Sequence, residues 1–85
     1  AEELKYLKQQ KEMDDLSGAC SMLGIIYSSI GQYDKAIPEF EKSLEIYDKF
    51  GTKPWWVYNY SLLGEAYHKT GHYKKEKKLY KKTNN

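Results

Sequence analysis

Leu16, Cys20, Leu23 and Tyr27 are spaced 4, 3, 4 along the chain. That spacing returns to one side of an α-helix at each turn, so the four residues form the apolar stripe of an amphipathic helix. Trp56, Tyr60, Leu63 and Tyr67 repeat the spacing 40 residues later. A second pattern follows the first: Tyr33, Ala36, Ile37, Phe40, Leu44 and Tyr47, spaced 3, 1, 3, 4, 3. Gly31 and Gly71 each stand four residues past the last aromatic of a stripe, where a helix ends in a left-handed residue. Gly51 stops the second pattern, and Pro54 suits the first turn of the next helix because its missing N–H is not needed there. The aromatic residues recur at 3 and 4, never at 2, so no strand is expected.

These signals predict five helices, roughly 1–11, 15–30, 33–50, 54–70 and 73–83. Short connections make neighbours antiparallel. Pro38 falls about one turn into its helix, where it removes a backbone bond, and the helix is expected to tolerate it near its start.

Shifting the chain by 40 residues sets Ser21, Leu23, Gly24, Tyr27, Gly31, Tyr33 and Lys35 on Ser61, Leu63, Gly64, Tyr67, Gly71, Tyr73 and Lys75. Self-similarity at such a period marks a solenoid. A weaker match, Leu4 onto Leu44, extends the register backwards, so residues 1–11 are expected to be the second helix of a preceding partial repeat. Residues 14–50 and 54–83 are then two repeats of one domain. The chain begins with Ala1, which suits a piece of a longer protein.

The run Leu23-Gly24-x-x-Tyr27-x-x-x-Gly31-x-Tyr33-x-x-Ala36-x-x-x-Phe40 resembles the tetratricopeptide repeat, and Leu63-Gly64-x-x-Tyr67-x-x-x-Gly71-x-Tyr73 resembles it again. The resemblance implies an all-α superhelix of antiparallel helix hairpins. Glycine and alanine let the paired helices approach, and aromatic residues fill the wedge between hairpins. The 40-residue period is similar to the long variant of kinesin light chains, cell-polarity adaptors and bacterial signalling proteins, as is the tail Leu44–Gly51. Besides the period, two departures stand out. Glu76 and Lys77 replace Ala36 and Ile37, which predicts looser packing of the last helix, and Cys20 and Tyr60 stand where the family's first helix carries tryptophan.

The resemblance also implies a function: a non-catalytic scaffold holding a protein or peptide on its inner face, which the first helix of each repeat lines. By position that face holds Gly18, Ser21, Ile25, Ser28 and Ser29, then Tyr58, Ser61, Glu65, His68 and Lys69. All fall off the core stripes, which argues separately for exposure. The lysine and asparagine with which some members grip a C-terminal carboxylate are missing: Ser21 and Ser61 take the lysine places, Ile25 and Glu65 the asparagine places. Two further readings accompany the scaffold. The open ends of a two-repeat solenoid suit self-association, by stacking or by exchange of helices. A peptide-sensing regulatory domain follows from the likeness to bacterial signalling repeats.

Composition refines this picture. At 85 residues, 40% hydrophobic and 31% charged, the chain is one small globular domain, too apolar to be disordered. No apolar run is long enough to span a bilayer and no secretory leader opens the sequence, so a cytoplasmic, non-membrane location is expected. Residues 1–42 carry a net charge of −3 and residues 43–85 a net charge of +5, with no arginine anywhere. Six lysines crowd residues 73–82, with tyrosines placed on the repeat's core register. This segment is expected to be a solvated face first and a contact for an acidic protein second. Lysine in place of bidentate arginine argues against nucleic acid.

Neither a catalytic centre nor a cofactor is expected. Cys20 is the only cysteine and reads as a small buried residue. His68 and His72 have metal-ligand spacing, but Gly71 at the helix end turns them apart and no third ligand is near. Scattered carboxylates form no acid–base pair, and no phosphate-binding loop or nucleophile elbow is present. Of the adjacent tryptophans, Trp56 is in register for the core and Trp55 for a more exposed position.

Overall fold

In the computed structural model of the protein, residues 2–50 and 56–83 are described, with side chains for 2–50 and 59–82. Among these residues the structure has four helices and no strand: α1 Glu2–Ser29, α2 Tyr33–Phe50, α3 Trp56–Lys69 and α4 Tyr73–Thr83. The expected positions of Gly51, Pro54 and Trp55 lie outside the described residues, as do the side chains of Trp56 and Tyr58.

The count is four because the expected break between residues 11 and 15 does not occur. Glu12, Met13 and Asp14 continue α1 without interruption. None of them is a glycine or proline, so nothing in the segment stops helical hydrogen bonding. Residues 2–11, expected as a separate helix, are the first turns of a 28-residue helix. Such a helix is about 42 Å long, against about 27 Å for the 18 residues of α2. Gln10 Nε2 donates to the carbonyl of Phe50 at 2.9 Å, near the end of α2. Residues 2–9, all exposed, overhang it.

Both hairpin turns close in the same way. Gly31 and Gly71 have φ of 80° and 79°. The N–H of Gln32 reaches back to Tyr27 O at 2.8 Å and that of Gly31 to Ser28 O at 3.1 Å; His72 to Tyr67 O and Gly71 to His68 O repeat the pair. This is the Schellman arrangement, in which glycine accepts the left-handed conformation without a Cβ penalty. The carbonyls of Gln32 and His72 then accept the first bonds of α2 and α4. Pro38 is exposed, and α2 runs through it.

The core lies between α2 and its neighbours and contains Ala36, Ile37, Phe40, Leu44, Tyr60, Leu63, Ala66 and Tyr67. Gly24 sits on the ring of Phe40: a Cβ there would lie 2.5 Å from Phe40 Cε1. The two stripes of identical spacing fare differently. Tyr60, Leu63 and Tyr67 are buried on α3, whereas on α1 only Cys20 is. Leu16 and Leu23, expected in the core, are 38% and 43% exposed, and Tyr27 is half-buried. The physical reason is position in the stack. α3 lies on α2, while among the described residues no helix covers the corresponding side of α1.

A buried polar network joins three helices. Ser43 Oγ donates to Ser17 O at 3.0 Å, the two hydroxyls lie 3.1 Å apart, and Asn59 Nδ2 donates to Ser43 Oγ at 2.9 Å. Ser21 Oγ donates to Asn59 Oδ1. Buried polar groups cost free energy unless they are paired, and here each supplies the other's partner. The network fixes where α3 sits on the first hairpin.

Candidate interaction face

The Ser21–Asn59 hydrogen bond draws the first helices of the two repeats together, although most contact between the hairpins runs through α2. Of the residues expected on the inner face, Ile25 and Ser29 are exposed on α1, and Ser61, Glu65, His68 and Lys69 are exposed on α3. Gly18 and Ser28 are half-buried. Ser29 Oγ donates to Ile26 O at 2.7 Å, so it serves its own helix. Ser28 Oγ is buried without a hydrogen-bond partner among the described residues. Ser21 corrects the expectation of exposure: it is buried, because its hydroxyl is committed to Asn59 across the seam. Tyr58 lies in α3 by its backbone alone.

Two participants were not among the expected residues. Glu76, in the place held by Ala36 in the first hairpin, is half-buried, and its Oε1 lies 3.2 Å from His68 Nδ1. The second helix of the second hairpin thus reaches a residue expected on the inner face. The departure from alanine was visible in the sequence, but its partner eight residues earlier was not. Asn59 is the other, fully buried at the place of Ala19. Position 59 lies off the apolar stripe of Trp56, Tyr60, Leu63 and Tyr67, so the periodic pattern gave no sign of its burial.

His68 and His72 engage different neighbours. His72 Nδ1 lies 2.6 Å from Thr70 Oγ1, and the His68 ring meets Tyr73 edge-on at 5.4 Å. No group of three or more His, Cys, Asp or Glu set to hold a metal occurs among the described residues. Burial, and then the nearby Glu39 carboxylate, push the Cys20 thiol above its ordinary pKa, which disfavours the nucleophilic thiolate.

The lysines of α4 are exposed as expected, but its tyrosines depart from their core register: Tyr73 and Tyr80 are 60% and 44% exposed. With Glu76 and Lys77 in place of Ala36 and Ile37, α4 cannot seat as deeply as α2. Lys75 sits 5.8 Å from the centre of the Tyr67 ring, and Lys82 Nζ pairs with Asp48 at 2.8 Å. Exposed pairs of this kind contribute roughly 0–1 kcal/mol. Tyr67 OH donates to Glu41 at 2.6 Å. Burial, and then this carboxylate, push its phenol above the ordinary value. Among the described residues no helix is long and apolar enough to cross a membrane.

Comparison with known proteins agrees with the architecture. The family model described as tetratricopeptide repeat matches residues 19–83, most of the chain. No curated protein and no solved structure matches significantly. Paired antiparallel helices, glycine-closed turns, the Gly24–Phe40 contact and the family match agree, and the chain belongs to the tetratricopeptide-repeat family, whose repeats generally mediate protein–protein interaction.

Proposed function

We propose that the chain holds a protein or peptide along the α1–α3 face, through Ile25, Tyr58, Glu65, His68 and Lys69. One observation carries this reading: the packing that buries Tyr60, Leu63, Ala66 and Tyr67 leaves Glu65, His68 and Lys69 exposed on the opposite side of α3. A face with a carboxylate, an imidazole and an ammonium suits a partner with mixed charge. The Ser21–Asn59 bond occupies the place where a carboxylate-gripping lysine would stand, so the partner's C-terminus is not the recognised group. Division into repeats at 14–50 and 54–83, and kinship with the long 40-residue variant, belong to the same reading and rest on the sequence register.

The test uses peptides selected on the intact chain from a random display library. Replacing Tyr58→Ala together with Lys69→Glu is expected to weaken their binding at least about 10-fold in calorimetric titration. Unchanged affinity with intact helicity would move the site elsewhere.

A further inference from the structure

Eight of the eleven large hydrophobic side chains left exposed among the described residues lie on α1, and a ninth, Ile30, directly follows its last residue. Four positions on this helix, Leu16, Ala19, Leu23 and Ile26, and Ile30 just past its end are spaced 3, 4, 3, 4 and follow one line. This line is distinct from the inner face, since Ile25 and Ser29 point about a quarter-turn or more away from it. The chain's own second repeat shows that such a line is built to be covered. Its counterparts 40 residues later are Asn59, Leu63, Ala66 and Thr70: the first three are buried and Thr70 is half-buried. At the same register Leu23, Ile26 and Ile30 are 43%, 50% and 60% exposed.

We propose that this face of α1 is the interface of a homodimer, formed by antiparallel pairing with α1 of a second copy. Three observations select this occupant. First, head-to-tail stacking is blocked by charge. In that arrangement α4 would cover α1 as α2 covers α3. Two α2 residues that pack toward α3, Ile37 and Glu41, have Lys77 and Lys81 as their α4 counterparts, both exposed. Setting these ammonium groups on leucine and isoleucine would desolvate them. The apolar surface that matches α1 is therefore α1 itself, which gives a closed two-fold interface rather than an open filament.

Second, the acidic residues sit at one end of the line. Glu12 and Asp15 flank its N-terminal end, and the next charges beyond its C-terminal end are Asp34 and then Lys35. Parallel pairing would bring four carboxylates together. Antiparallel pairing about Leu23 separates them to opposite ends, sets Leu16 against Ile30 and places the small Ala19 near Ile26.

Third, the area suffices for a reversible dimer. Leu16, Met22, Leu23, Ile26 and Ile30 at 38–64% exposure present on the order of 500 Å² per copy, and about 1,000 Å² in the pair. That lies at the lower limit for specific association, so a dissociation constant on the order of 10–100 µM is expected.

The experiment is sedimentation velocity on the full chain from about 1 µM to about 500 µM, compared with Leu23→Glu/Ile26→Lys. The wild type should shift from monomer to dimer. The variant, altered only at exposed positions, should keep its helical circular dichroism and dissociate at least about 30-fold more readily. Orientation is read by mixing Leu16→Cys and Ile30→Cys chains, each in a Cys20→Ala background. A disulfide joining the two kinds of chain supports the antiparallel pair, and Leu16→Cys chains joined to one another overturn it. A wild type monomeric throughout overturns the dimer and assigns the face to a helix of other sequence. A dimer that survives in the double variant overturns the assignment to this face. Because none of these substitutions touches Tyr58 or Lys69, the outcome is independent of peptide binding on the inner face.

Discussion

In the first hairpin the ring of Phe40 is fully buried against Gly24, and a Cβ there would overlap it at 2.5 Å; in the second, a Cβ at Gly64 would lie 3.0 Å from Tyr80, which is 44% exposed. The two hairpins share a motif and a turn but not a packing depth. The difference traces to what stands beside each ring. Ala36 is fully buried and lets α2 close on α1, whereas Glu76 in the same register keeps a carboxylate that must reach solvent or a partner. A motif therefore fixes which residues meet, while the residue next to it decides how closely.

The largest test of this contrast removes the rings. Phe40→Ala is expected to cost about 3–5 kcal/mol, enough to unfold a chain of this size, while Tyr80→Ala should cost about 1 kcal/mol or less, as read by urea denaturation. Equal costs would show that the second hairpin is as tightly packed as the first.

The next test adds a methyl group instead. Gly24→Ala should destabilise by about 1–3 kcal/mol, because the buried Phe40 ring has nowhere to move. Gly64→Ala should be close to neutral: Tyr80 can swing outward, and alanine gains about 1 kcal/mol of helix propensity over glycine. A melting temperature lowered equally by both would refute the difference in depth.

The smallest effect concerns the junction between repeats. Tyr67→Phe removes the bond to Glu41 and should cost about 0.5–1.5 kcal/mol at neutral pH. It should also alter the alkaline limb. The phenol pKa is raised in the folded state, so its contribution is complete below the unfolded value of about 10 and is lost as pH rises from there through the folded value. Stability above about pH 10 should then fall less steeply in the variant than in the wild type.

Much of the fold could be read from spacing alone. Periods of 3 and 4 located α2, α3 and the C-terminal part of α1, the 40-residue self-match located α4, and Gly31 and Gly71 adopt the left-handed conformation expected of them. Spacing did not reveal which stripes would be covered. Leu23 and Leu63 are the same residue in the same register, and only the neighbour supplied by the stack separates 43% exposure from 2%. The break expected near residue 12 came from extending the repeat backwards, against the local absence of any helix stop. On the inner face, exposure followed from register for Glu65, His68 and Lys69. It failed for Ser21, whose partner Asn59 is 38 residues distant and invisible to a periodic pattern.

That bond is part of the network of Ser17, Ser21, Ser43 and Asn59, which has a consequence for how the molecule comes apart. Stacked repeats behave as a row of units, each free to melt once its apolar contact with the next is weak. Apolar contacts tolerate sliding, but hydrogen bonds weaken steeply outside a narrow range of distance and angle. With three helices bound at a single point, α3 cannot peel from the first hairpin without stranding polar groups on both sides. Partial melting from the α3 side is penalised, and the two repeats are expected to lose their structure in one cooperative step.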